Sequence, residues 1–257
     1  MRPLVKPKDL NLKYALGEIF LIVVGVSIAL AASSWYEDRQ EGEAEFAYLI
    51  SLREDLHADL EQLNIQIDGL DRKRQAIDVV LSVIDSETEP EDMSAFLRHL
   101  RRIASADEFI PNSTTFSELS GVGGLAILKD REIVRAVIQY LQRAEIVRRY
   151  DLIAADNRRS VGSLTVYDFL DAPTWTLITD DVFDLNQGLK SPSDPIEGLT
   201  DPASKLSVER MRNNNEYRNA VYRSSGMNVV LRRSKIELRT QCQNIVDSLD
   251  LRLSMSD

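Results

Sequence analysis

An uncharged run near the N-terminus, from Ile19 to Tyr36, constrains this chain more than any other feature. At ~1.5 Å of rise per residue, a helix of this length spans roughly 27 Å, which is enough to cross the hydrocarbon core of a bilayer. We therefore predict three parts: a short basic tail at residues 1–18, a transmembrane helix at 19–36 and a helical domain at 37–257. The lipid bilayer is the first predicted partner.

The charges on either side of the run predict its orientation, because basic residues favour the cytoplasmic side of a membrane and acidic residues contribute little. The bases before the run are Arg2, Lys6, Lys8 and Lys13, and the acids after it are Glu37, Asp38, Glu41, Glu43 and Glu45. These flanks place the N-terminus in the cytoplasm and the large domain outside it. Trp35 and Tyr36 then lie at headgroup level on the far side of the membrane.

A cleaved signal peptide is the alternative interpretation of the same run. A basic start, an apolar centre and small residues at Ala29, Ala31 and Ala32 match that pattern. Two observations favour a retained anchor: the uncharged run is longer than the usual core of a signal peptide, and the next residues enter a helical pattern without a break.

Small residues at Gly25, Ala29 and Ser33 are each four positions apart, so they share one face of the predicted membrane helix. Such a face lets two transmembrane helices approach closely, and we predict a homo-oligomer that packs through it. Glu18 lies seven residues before Gly25 and projects from nearly the same face, where it can pair with a neighbour or reach the headgroups. The alternative is that these small residues reflect only their general frequency in membrane helices.

The composition limits the classes of function for the rest of the chain. The 257 residues carry a formal net charge of −10, which argues against nucleic-acid binding because phosphate affinity requires an excess of Lys and Arg. The hydrophobic content of 44% predicts a folded domain with a core rather than a disordered chain. Cys242 is the only cysteine, so no intramolecular disulfide forms, and its helical context predicts a small core residue.

A long helix is predicted from Glu43 to Asp85, where apolar residues recur every three or four positions. The series is Leu49, Leu52, Leu56, Leu60, Leu63, Ile67, Leu70, Ile77, Leu81 and Ile84. Arg74 occupies one position on this predicted buried face. This helix is either a coiled-coil stalk or one member of an antiparallel bundle, and the small number of heptads favours the bundle.

Three shorter predictions follow along the chain. Residues 93–103 form a short helix, and Thr115 to Glu118 has the spacing of a capping box that opens a helix ending at Gly121. The glycines at 121–124 form a tight turn rather than a phosphate-binding loop, because no Lys-Ser or Lys-Thr follows them. Asp130 caps a helix that extends to about Ser160. Its outward arginines form either a solvated, ion-paired face or a ligand-binding patch: Arg143, Arg148, Arg149, Arg158 and Arg159.

The last third of the chain predicts an irregular loop and a final helix. Residues 171–204 contain four prolines and two glycines, so we predict a long loop that is mobile or faces a partner. The final helical stretch extends from Ser207 to about Leu253, weakened at 213–215, and is rich in arginine. Because the first helix of the domain is acidic over 37–61, the two helices are expected to lie side by side. The predicted fold class is therefore all-α: one N-terminal transmembrane helix, then a helical bundle domain with long antiparallel helices.

Two stretches resemble a bacterial family of uncharacterised single-span membrane proteins. The first comprises Tyr14-Ala15-Leu16-Gly17-Glu18-Ile19, Gly25, Ile28-Ala29-Leu30, Trp35 and Glu37, and the second Thr115-Phe116-Ser117-Glu118-Leu119, Gly124-Leu125, Leu128-Lys129-Asp130, Glu132 and Tyr140. The resemblance implies a membrane anchor and a helical exported domain. With the orientation above, we predict a single-pass protein of the bacterial inner membrane whose C-terminal domain is periplasmic. It brings no established activity, so it assigns no catalytic residue.

No catalytic constellation is visible in the sequence, and we do not expect an enzyme, a metal site or a cofactor. His57 and His99 are far apart, and neither has a second ligand at metal-binding spacing. The leading prediction is a membrane-anchored interaction or scaffolding protein of the bacterial envelope, with another envelope protein as partner. The alternative is an extracytoplasmic domain that binds a small ligand and signals through a partner.

Overall fold

The computed structural model describes residues 12–87, 89–105, 107–121, 124–191, 194–201 and 206–255, with side-chain surroundings from Leu16 onward. All regular structure in these residues is helical, which confirms the predicted all-α class. The seven α-helices are α1 (Leu12–Ile84), α2 (Met93–Ile103), α3 (Thr114–Gly121), α4 (Arg131–Leu164), α5 (Ala172–Asn186), α6 (Val208–Arg212) and α7 (Asn215–Ser254). A short 3₁₀ turn covers Gly124–Ala126, and a π-turn covers Thr165–Phe169.

Helix α1 is a single helix of 73 residues, about 110 Å long at 1.5 Å per residue. Residues 16–41 of this helix are exposed, and its second part contributes a stripe of buried leucines to the helical domain. The prediction of a bundle rather than a lone stalk is therefore confirmed, because the second part of α1 packs along α7 and α2.

Helices α1, α4 and α7 form the long part of the bundle. Arg232 of α7 binds Asp71 of α1, and Arg53 of α1 binds Asp250 near the end of α7, so these two helices are antiparallel. They are neighbours, as predicted, but not through the expected charges. The antiparallel register brings the basic part of α7 beside residues 64–85 of α1, whereas the acidic part of α1 lies nearer the C-terminal end of α7.

Local capping explains where the helices begin. Asp130 accepts hydrogen bonds from the backbone N–H groups of Glu132 and Ile133 at the start of α4, as predicted. Asp92, Asp171, Ser207 and Asn214 cap α2, α5, α6 and α7 in the same way. Helix α2 has the predicted bounds, whereas α3 begins at Thr114, one residue before the expected capping box, so Thr115 lies inside the helix.

Two apolar cores fill the bundle. One lies nearer the exposed end of α1 and contains Leu49 to Leu63 of α1, Ile133 to Val147 of α4 and Leu238 to Leu253 of α7. The other is built by the far end of α1 with α2, the π-turn, α5, α6 and the start of α7. Between them lies a band of polar side chains that includes Gln66, Lys73, Asp151 and Lys235, all of them buried.

The structure corrects the predicted core phase of α1. Arg74 is exposed and pairs with Asp78, while the buried positions of that turn are Lys73, Ala76 and Ile77. The reason is that the inward series continues through Asp59, Gln66 and Lys73, each seven residues apart. The predicted series instead counts through Leu60 and Ile67, which are also buried, and so reaches Arg74, the exposed position after Lys73.

The predicted irregular loop at 171–204 is wrong for residues 172–186, which form α5. Pro173 lies in the first turn of that helix, where the missing N–H has no helical partner in any case. The final helical stretch divides at Asn213 and Asn214 into α6 and α7, where the sequence predicted weakness. Residues 122 and 123 of the glycine-rich turn and residues 1–11 of the basic tail lie outside the described residues.

Candidate functional site

The predicted membrane segment is the largest exposed apolar surface of the described chain. An 18-residue window of α1 near the N-terminus has a mean hydropathy of 2.2 and contains no buried residue. Its large side chains, such as Phe20, Leu21 and Leu30, are 65–72% exposed although they are among the most apolar in the chain. By length and composition this part of α1 can cross a membrane.

The predicted packing face lies on this exposed part of α1. Glu18, Gly25, Ala29 and Ser33 are all exposed, and a Cβ atom added at Gly25 would meet no atom within 4 Å. The Ser33 hydroxyl donates a hydrogen bond to the Glu37 carboxylate at 3.2 Å. The face is thus open to a second helix, and association through it stays a prediction.

Trp35 and Tyr36 mark the end of the apolar segment, and both are 64% exposed. The Arg39 guanidinium lies 6.0 Å from the centroid of the Trp35 ring and pairs with Glu43 on the next turn. A ring beside a charged group suits the boundary between lipid and water, although the place of these residues in a membrane stays a prediction.

Five inward side chains of α1 hold the segment that connects α2 to α4. Each binds one backbone group of that segment. Successive bonds involve earlier residues of α1 and later residues of the connecting segment. From the far end they are Lys73 to the Ser105 carbonyl (2.6 Å), Gln66 to the Glu108 carbonyl (3.1 Å), Asp59 to the Asn112 N–H (2.8 Å), Asp55 to the Thr115 N–H (3.0 Å) and Glu45 to the Lys129 N–H (2.7 Å). The connecting segment therefore lies antiparallel along α1.

Sequence reasoning missed this role of α1. A signal was present, because Asp59, Gln66 and Lys73 recur every seven residues on the inward side of an otherwise apolar stripe. Polar residues at such spacing on a buried face need partners, since an unpaired buried polar group costs about 1–3 kcal/mol. The spacing alone does not say which backbone groups are those partners.

A buried ion pair joins α7 to α4 within the polar band. The Lys235 ammonium lies 2.9 Å from one carboxylate oxygen of Asp151, and the two side chains are 1% and 2% exposed. Lys235 also donates to the Gln66 amide oxygen at 2.6 Å, and Asp151 accepts from the Phe109 N–H at 2.9 Å. The pair thus connects three long helices and the connecting segment.

Burial controls the protonation of this band. It raises the pKa of Asp151 and lowers the pKa of Lys235, and their mutual attraction opposes both shifts. The pKa of Lys73 falls from 10.5 to about 8 because of burial first and repulsion by Arg158 second. Lys73 and Lys235 also line a cavity of about 30 Å³, room for one or two water molecules.

A second buried polar group lies in the core nearer the exposed end of α1. Tyr140 donates its hydroxyl hydrogen to Asp59 at 2.7 Å, and the Cys242 thiol donates to the Leu56 carbonyl. Burial raises the pKa values of Asp59 and Tyr140 and raises that of Cys242 from 9.0 to about 12. Cys242 is therefore a protonated core residue, as predicted, because the thiolate is the reactive form.

The loop after α5 is held by a charged cluster. Arg98 of α2 forms an ion pair of 2.7 Å with Asp181 of α5, with side chains 8% and 1% exposed, and also binds the Asp194 carbonyl. Lys190 approaches Asp184 at 3.1 Å, which raises the pKa of the lysine. The described part of this loop is thus tied to two helices.

The outward arginines of α4 divide into two groups. Arg143 pairs with Glu237, while Arg148 and Arg149 both approach Glu145, and these three fit the predicted ion-paired face. Arg158 and Arg159 instead line a cleft beside Arg101.

Of the two histidines, burial lowers the pKa of His99. Within the described residues, no three His, Cys, Asp or Glu side chains are arranged to hold a metal ion.

These features define an all-α protein in which one helix carries a segment able to cross a membrane and then forms part of a helical domain. The chain belongs to a family of unknown function, DUF6090, whose model matches residues 18–186. The match covers the exposed apolar segment, α2 to α4 and α5, and it agrees with the uncharacterised family that the sequence resembles. No curated protein and no solved structure matches the chain.

Proposed function

We propose that this protein is a single-span protein of the bacterial inner membrane whose helical domain projects into the periplasm and interacts with another envelope protein. The observation that carries the proposal is the continuity of α1. The same helix presents an exposed apolar segment and then enters both apolar cores of the domain. A rigid connection of this kind fixes the domain at a defined height and direction relative to the bilayer.

Self-association through the small-residue face is part of this proposal. Gly25, Ala29 and Ser33 have no neighbours that would block a second α1 helix, and close approach of small residues favours packing in lipid. Two copies held in this way would present two helical domains side by side to a partner.

Variants with one introduced cysteine test both orientation and association. Cys242 is fully buried, and its pKa of about 12 keeps the thiol protonated at neutral pH, so an introduced cysteine is the reactive one. We expect a membrane-impermeant maleimide to label Arg149→Cys in spheroplasts and to label Asn11→Cys only after permeabilisation. Equal labelling of both variants in intact spheroplasts would contradict the proposed orientation.

Oxidative crosslinking in membranes tests the packing face with a matched pair of variants. We expect Ala29→Cys to form disulfide-linked dimers and Ala31→Cys, about 200° around the helix, to form few. Equal yields from both positions would argue against packing through this face. Fractionation is the control for anchoring, because release of the full-length chain into the aqueous fraction would overturn the proposal as a whole.

A further inference from the structure

A cleft of about 420 Å³ lies where the C-terminal ends of α2 and α4 meet the start of α5. Its lining includes three arginines, Arg101, Arg158 and Arg159, and two aromatic rings, Tyr167 and Trp175. The other lining residues are small or apolar, and no Asp or Glu of the described part of the chain is among them. This is notable in a chain with 41 acidic and 31 basic residues.

The arginines create a local excess of positive charge. Burial lowers the pKa of Arg101, and repulsion by Arg158 lowers it further. Arg158 likewise contributes to the lowered pKa of Lys73, the neighbouring base on α1. Arg159 contacts Asp156, and because both side chains are 71% exposed, solvent screens this interaction. A bound anion would relieve the repulsion between the arginines.

Both aromatic rings of the cleft belong to packed parts of the fold. The Arg101 guanidinium lies 5.5 Å from the centroid of the Trp175 ring, and its Nε donates to the Thr179 hydroxyl at 2.9 Å. Tyr167 is 85% exposed, on a π-turn whose neighbouring side chains Thr165 and Phe169 are buried. Single π-turns occur frequently at functional sites, and here the turn presents a ring at the rim of a basic cleft.

The place of the cleft along α1 limits the source of a ligand. Ala104 lines the cleft, and the adjacent Ser105 is bound by Lys73 of α1, so the cleft lies near the level of residue 73. That level is about 55 Å along α1 from residue 36. If residues 19–36 cross the membrane, the headgroups of that membrane are out of reach, which favours a dissolved ligand.

We infer that this cleft binds a small organic anion in which a carboxylate or phosphate group is attached to a planar ring. The fork of an arginine matches either group with two parallel hydrogen bonds, and the ring can stack against Trp175 or Tyr167. The inference goes beyond the proposed anchoring and interaction function, and its failure would leave that function untouched.

The two tryptophans of the chain make the test direct. Trp35 lies in the exposed segment of α1, so in the full-length Trp35→Phe variant Trp175 is the only remaining indole and reports on the cleft. In detergent, we expect phenyl phosphate and benzoate to change the Trp175 emission saturably, with Kd about millimolar or tighter. The two ligands distinguish phosphate from carboxylate as the preferred group. Benzyl alcohol, which is neutral, is expected to give no saturable change.

Substitutions in that background identify the residues responsible. Arg158→Gln and Arg159→Gln are each expected to weaken binding about tenfold, whereas Arg149→Gln, on the same helix but outside the cleft, leaves Kd unchanged. Circular dichroism verifies that each variant is folded, and two cleft variants are used so that misfolding of one does not end the test. The absence of saturable binding by either anion, or an equal Kd in the Arg149, Arg158 and Arg159 variants, overturns the inference. Binding of inorganic phosphate as tight as that of phenyl phosphate overturns the ring contact.

Discussion

Asp151 and Lys235 contact each other at 2.9 Å in the middle of the bundle, across 84 residues of sequence, and both are almost fully excluded from solvent. Their pairing lies between the two apolar cores, where any slip of α7 along α4 would bury a charge without its partner. An ion pair in such a position selects one register of the helices, while its net contribution to stability is small.

Loss of one member of this pair is therefore expected to be costly. We predict that Lys235→Met lowers the free energy of unfolding by about 3–5 kcal/mol, because the Asp151 carboxylate is left buried without a counter-charge. Urea unfolding of the detergent-solubilised chain, followed by circular dichroism, measures the change. The control is Arg233→Met, an exposed base on the same helix, with an expected change below about 0.5 kcal/mol. Similar midpoints for the two variants would contradict a structural role for the pair.

The second prediction concerns the pH dependence of stability at Lys73. Its pKa is lowered to about 8 in the folded chain and is 10.5 when unfolded, so folding carries a cost for the charged ammonium below pH 8. Between pH 8 and 10.5 the unfolded chain binds one more proton than the folded chain. The stability therefore rises with pH by about 1.4 kcal/mol per unit within that window.

The comparison of wild type with Lys73→Met isolates this effect. Lys235 and Cys242 are present in both proteins, so their effects on the pH dependence cancel when unfolding is compared at pH 7 and pH 9. We expect the wild type to gain about 1 kcal/mol relative to Lys73→Met over this range. A difference that does not change with pH would show that Lys73 keeps an ordinary pKa in the folded chain.

The third prediction tests the attachment of the connecting segment to α1. Asp59→Ala removes the acceptor for both the Asn112 N–H and the Tyr140 hydroxyl, so we expect a loss of about 2–4 kcal/mol. Hydrogen exchange followed by mass spectrometry should show faster exchange around residue 112. Glu61→Ala, an exposed acid half a turn away on α1, is the matched control and should leave that exchange unchanged.

The fourth prediction concerns the buried pair of α2 and α5. Arg98→Lys keeps the charge but loses the planar fork that reaches both Asp181 and the Asp194 carbonyl, so we expect about 2–3 kcal/mol of destabilisation. Trypsin should then cleave after Lys190 sooner than in the wild type. The same exchange at Arg74, which pairs with Asp78 in solvent, should change neither stability nor cleavage. Unchanged cleavage in Arg98→Lys would show that the Arg98–Asp181 ion pair does not hold the loop in place.

Sequence patterns predicted much of the fold because helices are set by local signals. The spacing of leucines in α1, the cap at Asp130 and the bounds of α2 all depend on residues within a few turns of each other. The exposed apolar segment is equally local, since its length and lack of charge are visible in the chain itself. The same local signals do not predict helix α5, because Pro173 adds to the proline content that indicates a loop, although a proline in the first turn is compatible with a helix.

Local patterns are sufficient for the helical class, the uncharged apolar segment and the bounds of α2, since each follows from periodicity and composition over short ranges. The packing of the helices determines which polar residues face inward: Lys73 rather than Arg74 is buried, Lys235 contacts Asp151, and the arginines at 101, 158 and 159 share one cleft. These pairings join residues far apart in the chain, and the relative register of packed helices selects them, which no local pattern encodes.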